Sequence, residues 1–387
     1  MGYEMMSGWT FKVRLALALG AVMSISPSAY SQSTSEAFIT EEFTFQSEGL
    51  LLNGIISRPK ATEATSIVII VHGYGRTNVV RDNGYHELRS RFTAKGISVL
   101  VWDKPGCGKS EGVFDINQPV ESSANEVVAA MQALRDNQEA GAEQIGLWGV
   151  SRAGWIAPLA IQKDPRVKFW ISVSGTDAFE NWGYLLRSSL ELEGYSASEI
   201  DAIHKGWIDG NRIFSSGGTF EDYTSATTTF RKNKLVQKLT GWPEYVALQA
   251  GTKAYVQARQ QYLENQEAYM AEGHVFDEES GLEIYVTDFD RTLKAVSCPV
   301  LAIFGGKDKQ VDWRKTKTLY ENTLGIAEDA ALSIRVFPNA DHNMRMSETG
   351  GFFETQEANY WNTPYADGYY EAMTAWLCSN SFCALTE

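Results

Sequence analysis

Residues 145–155 read IGLWGVSRAGW. Ile145–Val150 is a continuous apolar run, as expected of a strand buried on both faces. Ser151 follows at once, and from Arg152 to about Gln162 the spacing is helical. Strand, sharp turn with a serine, helix is the layout of a nucleophile elbow, in which the turn exposes the hydroxyl above a helix N-terminus. Such a turn needs small residues two before and two after the serine. Gly149 meets the first need. Ala153, followed by Gly154, meets the second, so the pattern is G-x-S-x-A-G, one methyl away from G-x-S-x-G. The same serine could be an ordinary helix N-cap, and the rest of the chain has to decide between the two.

Outward from this stretch the chain alternates. SIVIIVHG (66–73), ISVLVWD (97–103), VKFWISVSG (167–175), CPVLAIFGG (298–306) and LSIRVFPN (332–339) read as further strands. Helical spacing falls near 84–95, 119–138, 313–324 and 366–378. Strands alternating with helices predict a parallel sheet covered on both faces, an α/β fold. Ahead of it, FITEEFTFQSEGLLLNGIISRP (38–59) alternates like paired antiparallel strands around a Gly-containing turn. The alternation lapses between 176 and 292, a helical stretch with Trp182, Trp207, Trp242, Tyr255 and Tyr262. The expected organisation is a core of residues 32–175 and 293–387, interrupted by a helical cap over 176–292. The cap enters and leaves at the catalytic edge of the sheet and is expected to act as a lid.

A serine hydroxyl is a poor nucleophile without a base, and the base needs an acid to orient it. FPNADHNM places His342 just past a strand, and LAIFGGKDKQVD places Asp308 in the turn after another. Both lie at C-terminal strand ends, the edge where open α/β sheets bind ligands. Asp308 is the preferred acid; Asp177, at the end of SVSGTD, and Asp312 remain alternatives. In VHGYG, the turn after the first buried strand can aim a backbone N–H at a developing oxyanion. The two donors expected are the N–H groups of Tyr74 and Arg152. His72, His86, His204 and His274 have no comparable context.

The stretch VWDKPGCGKSEG (101–112) ends like a phosphate-binding loop, but Asp103 stands where that loop needs its first glycine. No Walker B strand accompanies it, so the chain is not expected to hold a nucleotide.

Together, VIIVHGYG, VLVWDKPGCGKSEG, GVSRAGWIAPLA, PVLAIFGGKDKQV and FPNADHNM resemble the α/β-hydrolase superfamily. Within it they are most similar to secreted esterases and serine aminopeptidase-like hydrolases. The resemblance implies a mostly parallel sheet flanked by helices, with Ser151, Asp308 and His342 as a catalytic triad and no cofactor. It also explains the glycine-rich loop as a D-x-x-G-x-G-x-S turn, matched by Asp103, Gly106, Gly108 and Ser110. There Asp103 is expected to accept N–H bonds of the loop, with Lys109 in solvent.

The chain of 387 residues is 44% hydrophobic and 21% charged, an ordinary globular balance. Its formal net charge of −14 disfavours nucleic acid and anionic lipid as partners. No His or Cys cluster has zinc spacing, so no metal is expected. Lys12 and Arg14 precede an apolar run and then small residues up to Ser31, the layout of a secretory signal peptide over 1–31. The run is too short to span a membrane. Export to the periplasm or outside the cell makes a disulfide between Cys378 and Cys383 plausible chemistry. Cys107 and Cys298 read as buried small hydrophobes.

The functional expectation is a secreted serine hydrolase cleaving small-molecule carboxylic esters. A serine peptidase of aminopeptidase type or a thioesterase would use the same fold. A hydrolase-fold binding protein without catalysis is a third reading, opposed by the intact Ser151, Asp308 and His342 set. Serine at the elbow excludes an aspartate-nucleophile dehalogenase or epoxide hydrolase. Exported protein should begin near Gln32; intact-mass analysis checks this, and a chain still starting at Met1 contradicts it.

Overall fold

The computed structural model describes residues 38–325 and 331–384; the expected signal peptide, residues 1–31, lies outside them. Ten strands occur in the described residues. They are β1 (Phe38–Ser47), β2 (Leu50–Pro59), β3 (Ser66–Val71), β4 (Ile97–Trp102), β5 (Ile145–Val150), β6 (Trp170–Val173), β7 (Val275–Asp277), β8 (Leu282–Ile284), β9 (Val300–Gly305) and β10 (Leu332–Phe337). Eight of them form one sheet in the order β1-β2-β4-β3-β5-β6-β9-β10.

β1 and β2 are an antiparallel hairpin that turns at Glu48 and Gly49, and β2 runs antiparallel to β4. Every other pairing in the sheet is parallel. The continuous apolar runs become β3, β4, β5 and β9, each buried along its whole length. On one face, alternate residues Val68 and Ile70, Val99 and Val101, Trp148 and Val150, Ile171 and Val173, and Leu301 and Ile303 form a core. Leu88 and Phe92 of the helix His86–Thr93 pack on it, as do Tyr369, Met373 and Leu377 of the helix Tyr369–Ser379. The helices Val120–Asp136 and Ala153–Lys163 pack against each other. This is the α/β-hydrolase fold, a mostly parallel sheet flanked by helices.

The chain divides into two compact units, one of them Ala178–Thr287 and the other holding the sheet. The first unit contains six helices, among them Ala197–Ser215 and Lys253–Ala271. Their starts follow from capping side chains. Ser196 makes a reciprocal capping box with Glu199, while Thr219, Asn233 and Thr252 each accept a backbone N–H of the first turn. Tyr262 is fully buried, its ring against Phe214, Phe220 and Tyr223, and its hydroxyl donates to Gly218 O at 2.9 Å. The unit also holds the small antiparallel hairpin β7–β8, which the sequence did not announce because three-residue strands carry no periodicity. The entering and leaving chains pair through Phe179 with Ile284, and Tyr285 N–H donates to Ala178 O at 3.1 Å.

Cys378 and Cys383 are joined in a disulfide, and Cys107 and Cys298 are free and buried. The bridge turns the chain back after the last helix. The Phe382 ring then packs at a tilt against Phe169 at 4.3 Å, its carbonyl accepts from the Ser66 hydroxyl at 2.7 Å, and Ala384 N–H reaches Lys95 O at 2.9 Å. So small a loop constrains the unfolded chain by about 2 kcal/mol. Replacing both cysteines by serine should cost up to that amount in chemical denaturation and leave turnover at the parent level.

Candidate active site

At Gly149 a β-carbon would lie 2.6 Å from the Ala153 methyl, so strand and helix meet there with no room to spare. This close approach forces the turn between them. Ser151 takes a left-handed backbone, φ 56°, which costs a residue with a side chain on the order of 1–3 kcal/mol. It is held by its own N–H on Val173 O at 2.9 Å and by Gly154 N–H on its carbonyl at 2.7 Å. The residue that precedes the helix Ala153–Lys163 is Arg152, and no side chain caps it, so Ser151 is not an N-cap.

His342 and Asp308 come from the two strands beyond β6. His342 Nδ1 and Asp308 Oδ2 are 2.8 Å apart, with both side chains almost wholly buried. The other Asp308 oxygen accepts N–H bonds from Gln310 at 2.8 Å and Val311 at 2.9 Å, which fixes the carboxylate plane. Gly305 ends β9 directly behind the histidine loop, where a β-carbon would sit 2.1 Å from Asp341 O. The Ser174 hydroxyl donates to His342 O at 2.7 Å, one residue after the Val173 carbonyl that holds Ser151. The serine turn and the histidine loop are therefore anchored on neighbouring residues at the end of β6.

The two alternative acids are engaged elsewhere. Asp177 pairs with Lys315 Nζ at 2.6 Å, and Asp312 caps the helix Trp313–Thr323 by accepting from Arg314 and Lys315 N–H. Of the three, Asp308 is the one His342 meets. Burial by itself would depress the imidazole. The Asp308 carboxylate and its hydrogen bond, with Asp341 adding to them, outweigh burial and leave the His342 pKa above its ordinary value. Asp341 was not singled out from sequence. It is buried and accepts from Tyr360 Oη at 2.6 Å and from the N–H groups of Asn343 and Arg345 at 2.9 and 3.0 Å. Burial raises its carboxyl pKa against the pull of those bonds.

The turn after β3 backs onto the nucleophile. A β-carbon on Gly73 would lie 3.1 Å from Val150 O and 3.5 Å from Ser151 Cβ. Tyr74 sits edge-on to Trp155 at 6.4 Å, and the Arg152 guanidinium lies over the Tyr74 ring at 5.4 Å. That guanidinium is buried and donates to Ser123 Oγ at 3.1 Å and to Gln118 O. Below the turn, His72 donates from Nε2 to Trp102 O at 2.6 Å. Burial, reinforced by Lys104, pushes its pKa down to about 3, so this imidazole is neutral.

The glycine-rich loop is a structural turn. Gly106 and Gly108 have φ 69° and 53°, and a β-carbon on Gly108 would strike Asp103 Oδ2 at 2.0 Å. Asp103 departs from expectation, since Oδ1 accepts from Val79 N–H at 2.6 Å, in the loop after β3 and outside its own turn. Its own turn is held instead by the Ser110 hydroxyl, which donates to Asp103 O at 2.5 Å. Lys109 is 74% exposed beside Glu42. The lysine that sequence reasoning passed over is Lys104, buried with its Nζ on Gly73 O at 2.6 Å and on Gly75 O at 3.0 Å. Nothing in its local pattern marks it, since its partners lie on another strand's turn.

Among the described residues no group of three or more His, Cys, Asp or Glu is placed to hold a metal ion. None of their helices is long and apolar enough to cross a membrane.

Comparison with known proteins adds a family. The X-Pro dipeptidyl-peptidase (S15) family matches residues 48–325. The chain is similar to a thiohydrolase of Arthrinium phaeospermum, 30% identical over 138 residues, which covers 35% of this chain and 43% of that one. It is also similar to the quorum-quenching protein AidA of Acinetobacter baumannii, 28% identical over 138 residues, covering 35% and 44% of the two chains. The match thus spans less than half the length of either relative. Among solved structures it is similar to esterase Pf2001 of Pyrococcus furiosus, with a TM-score of 0.47 and 12% identity over 88% of this chain and 93% of that one.

The buried neutral His72 has a pH consequence. Below about pH 6.5 the unfolded chain binds a proton on this ring that the folded chain refuses until about pH 3, so the fold loses stability as pH falls through that window. Histidine ring resonances followed by NMR should show one imidazole neutral down to about pH 3 in the parent. That signal should vanish in His72→Asn; a His72 ring titrating near pH 6.5 contradicts the assignment.

Proposed function

The chain belongs to the X-Pro dipeptidyl-peptidase (S15) family of α/β-hydrolases, and from that premise and its site geometry we propose a serine hydrolase that cleaves carboxylic esters through an acyl-enzyme. The observation that carries this reading is the His342 Nδ1–Asp308 Oδ2 pair at 2.8 Å, together with the left-handed Ser151 turn. Asp308, itself held by two backbone N–H groups, keeps the proton on Nδ1 and leaves Nε2 as the base.

Ser151 Oγ attacks the acyl carbon while His342 Nε2 takes its proton. The carbonyl oxygen gains the negative charge, which the N–H groups of Tyr74 and Arg152 stabilise. Collapse of the tetrahedral adduct breaks the bond to the leaving alkoxide, and the imidazolium gives it the proton. Water then attacks the acyl-Ser151, His342 takes a proton from it, and the acid product leaves with Ser151 reprotonated. Asp308 stays ionised and stabilises the imidazolium throughout.

The similarity to two thiohydrolases supports hydrolase chemistry at this site. A peptidase releasing X-Pro dipeptides from peptide N-termini is the second reading, favoured by the description of the family itself. The acidic chain, at a net charge of −14, favours uncharged small-molecule substrates over anions and nucleic acid. Export is part of the proposal, supported by the N-terminal layout and by the Cys378–Cys383 bridge.

Ser151→Ala and His342→Ala should each lower kcat by on the order of 10³-fold or more, with Asp308→Asn somewhat less damaging and Asp177→Asn near the parent. Near-native turnover by Ser151→Ala sinks the reading. Measured kcat/KM across ester acyl lengths, thioesters and X-Pro anilides separates the substrate classes. Efficient anilide cleavage with negligible ester turnover gives the case to the peptidase.

A base works only when neutral, and the His342 pKa is raised, so the acid limb of kcat/KM should lie above the ordinary imidazole value of 6.5. Asp341→Asn removes one of the charges that raise it and should move that limb downward in pH. An unmoved limb removes Asp341 from the account.

A further inference from the structure

The Lys104 amine is buried behind the turn that follows β3. Desolvation disfavours its charged form unless its surroundings compensate. Its compensation is specific. Nζ donates to Gly73 O at 2.6 Å and Gly75 O at 3.0 Å, two carbonyls of one turn. Its own N–H donates to Thr77 Oγ1 at 2.7 Å, further along the same loop. Glu126 is buried nearby, accepting from Trp102 Nε1 at 3.0 Å and from Gln118, and its charge favours the ammonium. Burial and the neighbouring Arg152 oppose that and push the Lys104 pKa down to about 7.

The Gly73 carbonyl belongs to the same peptide group as the Tyr74 N–H. A trans peptide is planar, so its C=O and N–H point in opposite directions. Anchoring the oxygen on Lys104 therefore sends the N–H to the far side of the peptide plane. A donor on the carbonyl also polarises the amide and strengthens the N–H, by about 10–30% per bond in such chains. The α-carbon of Gly73 meanwhile faces Ser151, at the distance of an ordinary contact if it bore a β-carbon.

We propose that Lys104 is a positioning residue for the oxyanion site, fixing and polarising the Gly73–Tyr74 peptide whose N–H faces the developing charge. It touches no substrate. The inference rests on the serine-hydrolase reading and extends it to a residue behind the site.

The test compares Lys104→Met, which keeps the stem and deletes the donor, with Lys104→Gln, which keeps a shorter donor, and with Ser151→Ala. Ester kinetics are measured alongside affinity for an alkyl boronic acid, which forms an anionic tetrahedral adduct on a serine, and for the carboxylic acid product. Lys104→Met should lower kcat about 10- to 100-fold with KM within about twofold, below the 10²- to 10³-fold cost of deleting a direct oxyanion donor. Boronate affinity should fall by a similar factor, with product affinity unchanged. Lys104→Gln should show the same pattern at roughly 3- to 10-fold, because its amide still reaches one carbonyl.

A merely structural lysine would not separate boronate from product or kcat from KM. Parent-level kcat and boronate affinity in folded Lys104→Met overturn the proposal, as does a rise in KM alone. If Lys104→Met fails to fold, Lys104→Gln decides by the same criteria. An inactive Ser151→Ala with parent-like Lys104 variants removes only the lysine's role, whereas an active Ser151→Ala removes the serine mechanism and this inference with it.

Discussion

The hydrogen bond from Ser151 N–H to Val173 O, at 2.9 Å, is the contact on which the site depends. It ties the turn after β5 to the end of β6 and so keeps Ser151 in a left-handed conformation that the residue would not choose alone. The turn in turn requires β5 and the following helix to touch at Gly149 and Ala153, where not even a methyl could be added to the glycine. A neighbouring residue, Ser174, extends the same strand end to the histidine loop through His342 O. The strain at the nucleophile is thus carried by the parallel pairing of β5, β6 and β9.

Around that edge several charged side chains are buried, each with hydrogen-bond partners. Asp308 holds His342, Asp341 is clasped by Tyr360 and two N–H groups, and Arg152 is turned inward onto Ser123 and Gln118. Lys104 and Glu126 sit behind the turn that follows β3. Buried charges of this kind add little to stability compared with well-packed hydrophobic residues. They are better understood as fixing geometry, because each one locks a backbone segment that has no repetitive structure of its own.

The unit Ala178–Thr287 is organised on different physics. Its helices begin at Ser, Thr and Asn caps, and its interior includes an aromatic cluster centred on Tyr262. A chain that enters and leaves through one paired neck, Ala178 with Tyr285 and Phe179 with Ile284, interrupts the sheet unit with little demand on either neighbour strand.

The strands and helices of the sheet unit were legible in the sequence because parallel strands buried on both faces are unbroken apolar runs, which no solvated segment imitates. The serine turn was legible for the same reason, being a motif of close approach written in adjacent residues, Gly149 to Gly154. Asp308 could be ranked above Asp177 and Asp312 only by the strand it follows, since all three lie between Ser151 and His342 in the chain. It was the three-dimensional structure that brought Asp308 to His342 and turned Asp177 to Lys315 and Asp312 to a helix end. Lys104, Asp341 and the direction of Asp103 were beyond the sequence altogether. Each interacts with a backbone group or side chain on a segment that only folding brings near, and a contact between distant segments leaves no periodicity or spacing in a single chain.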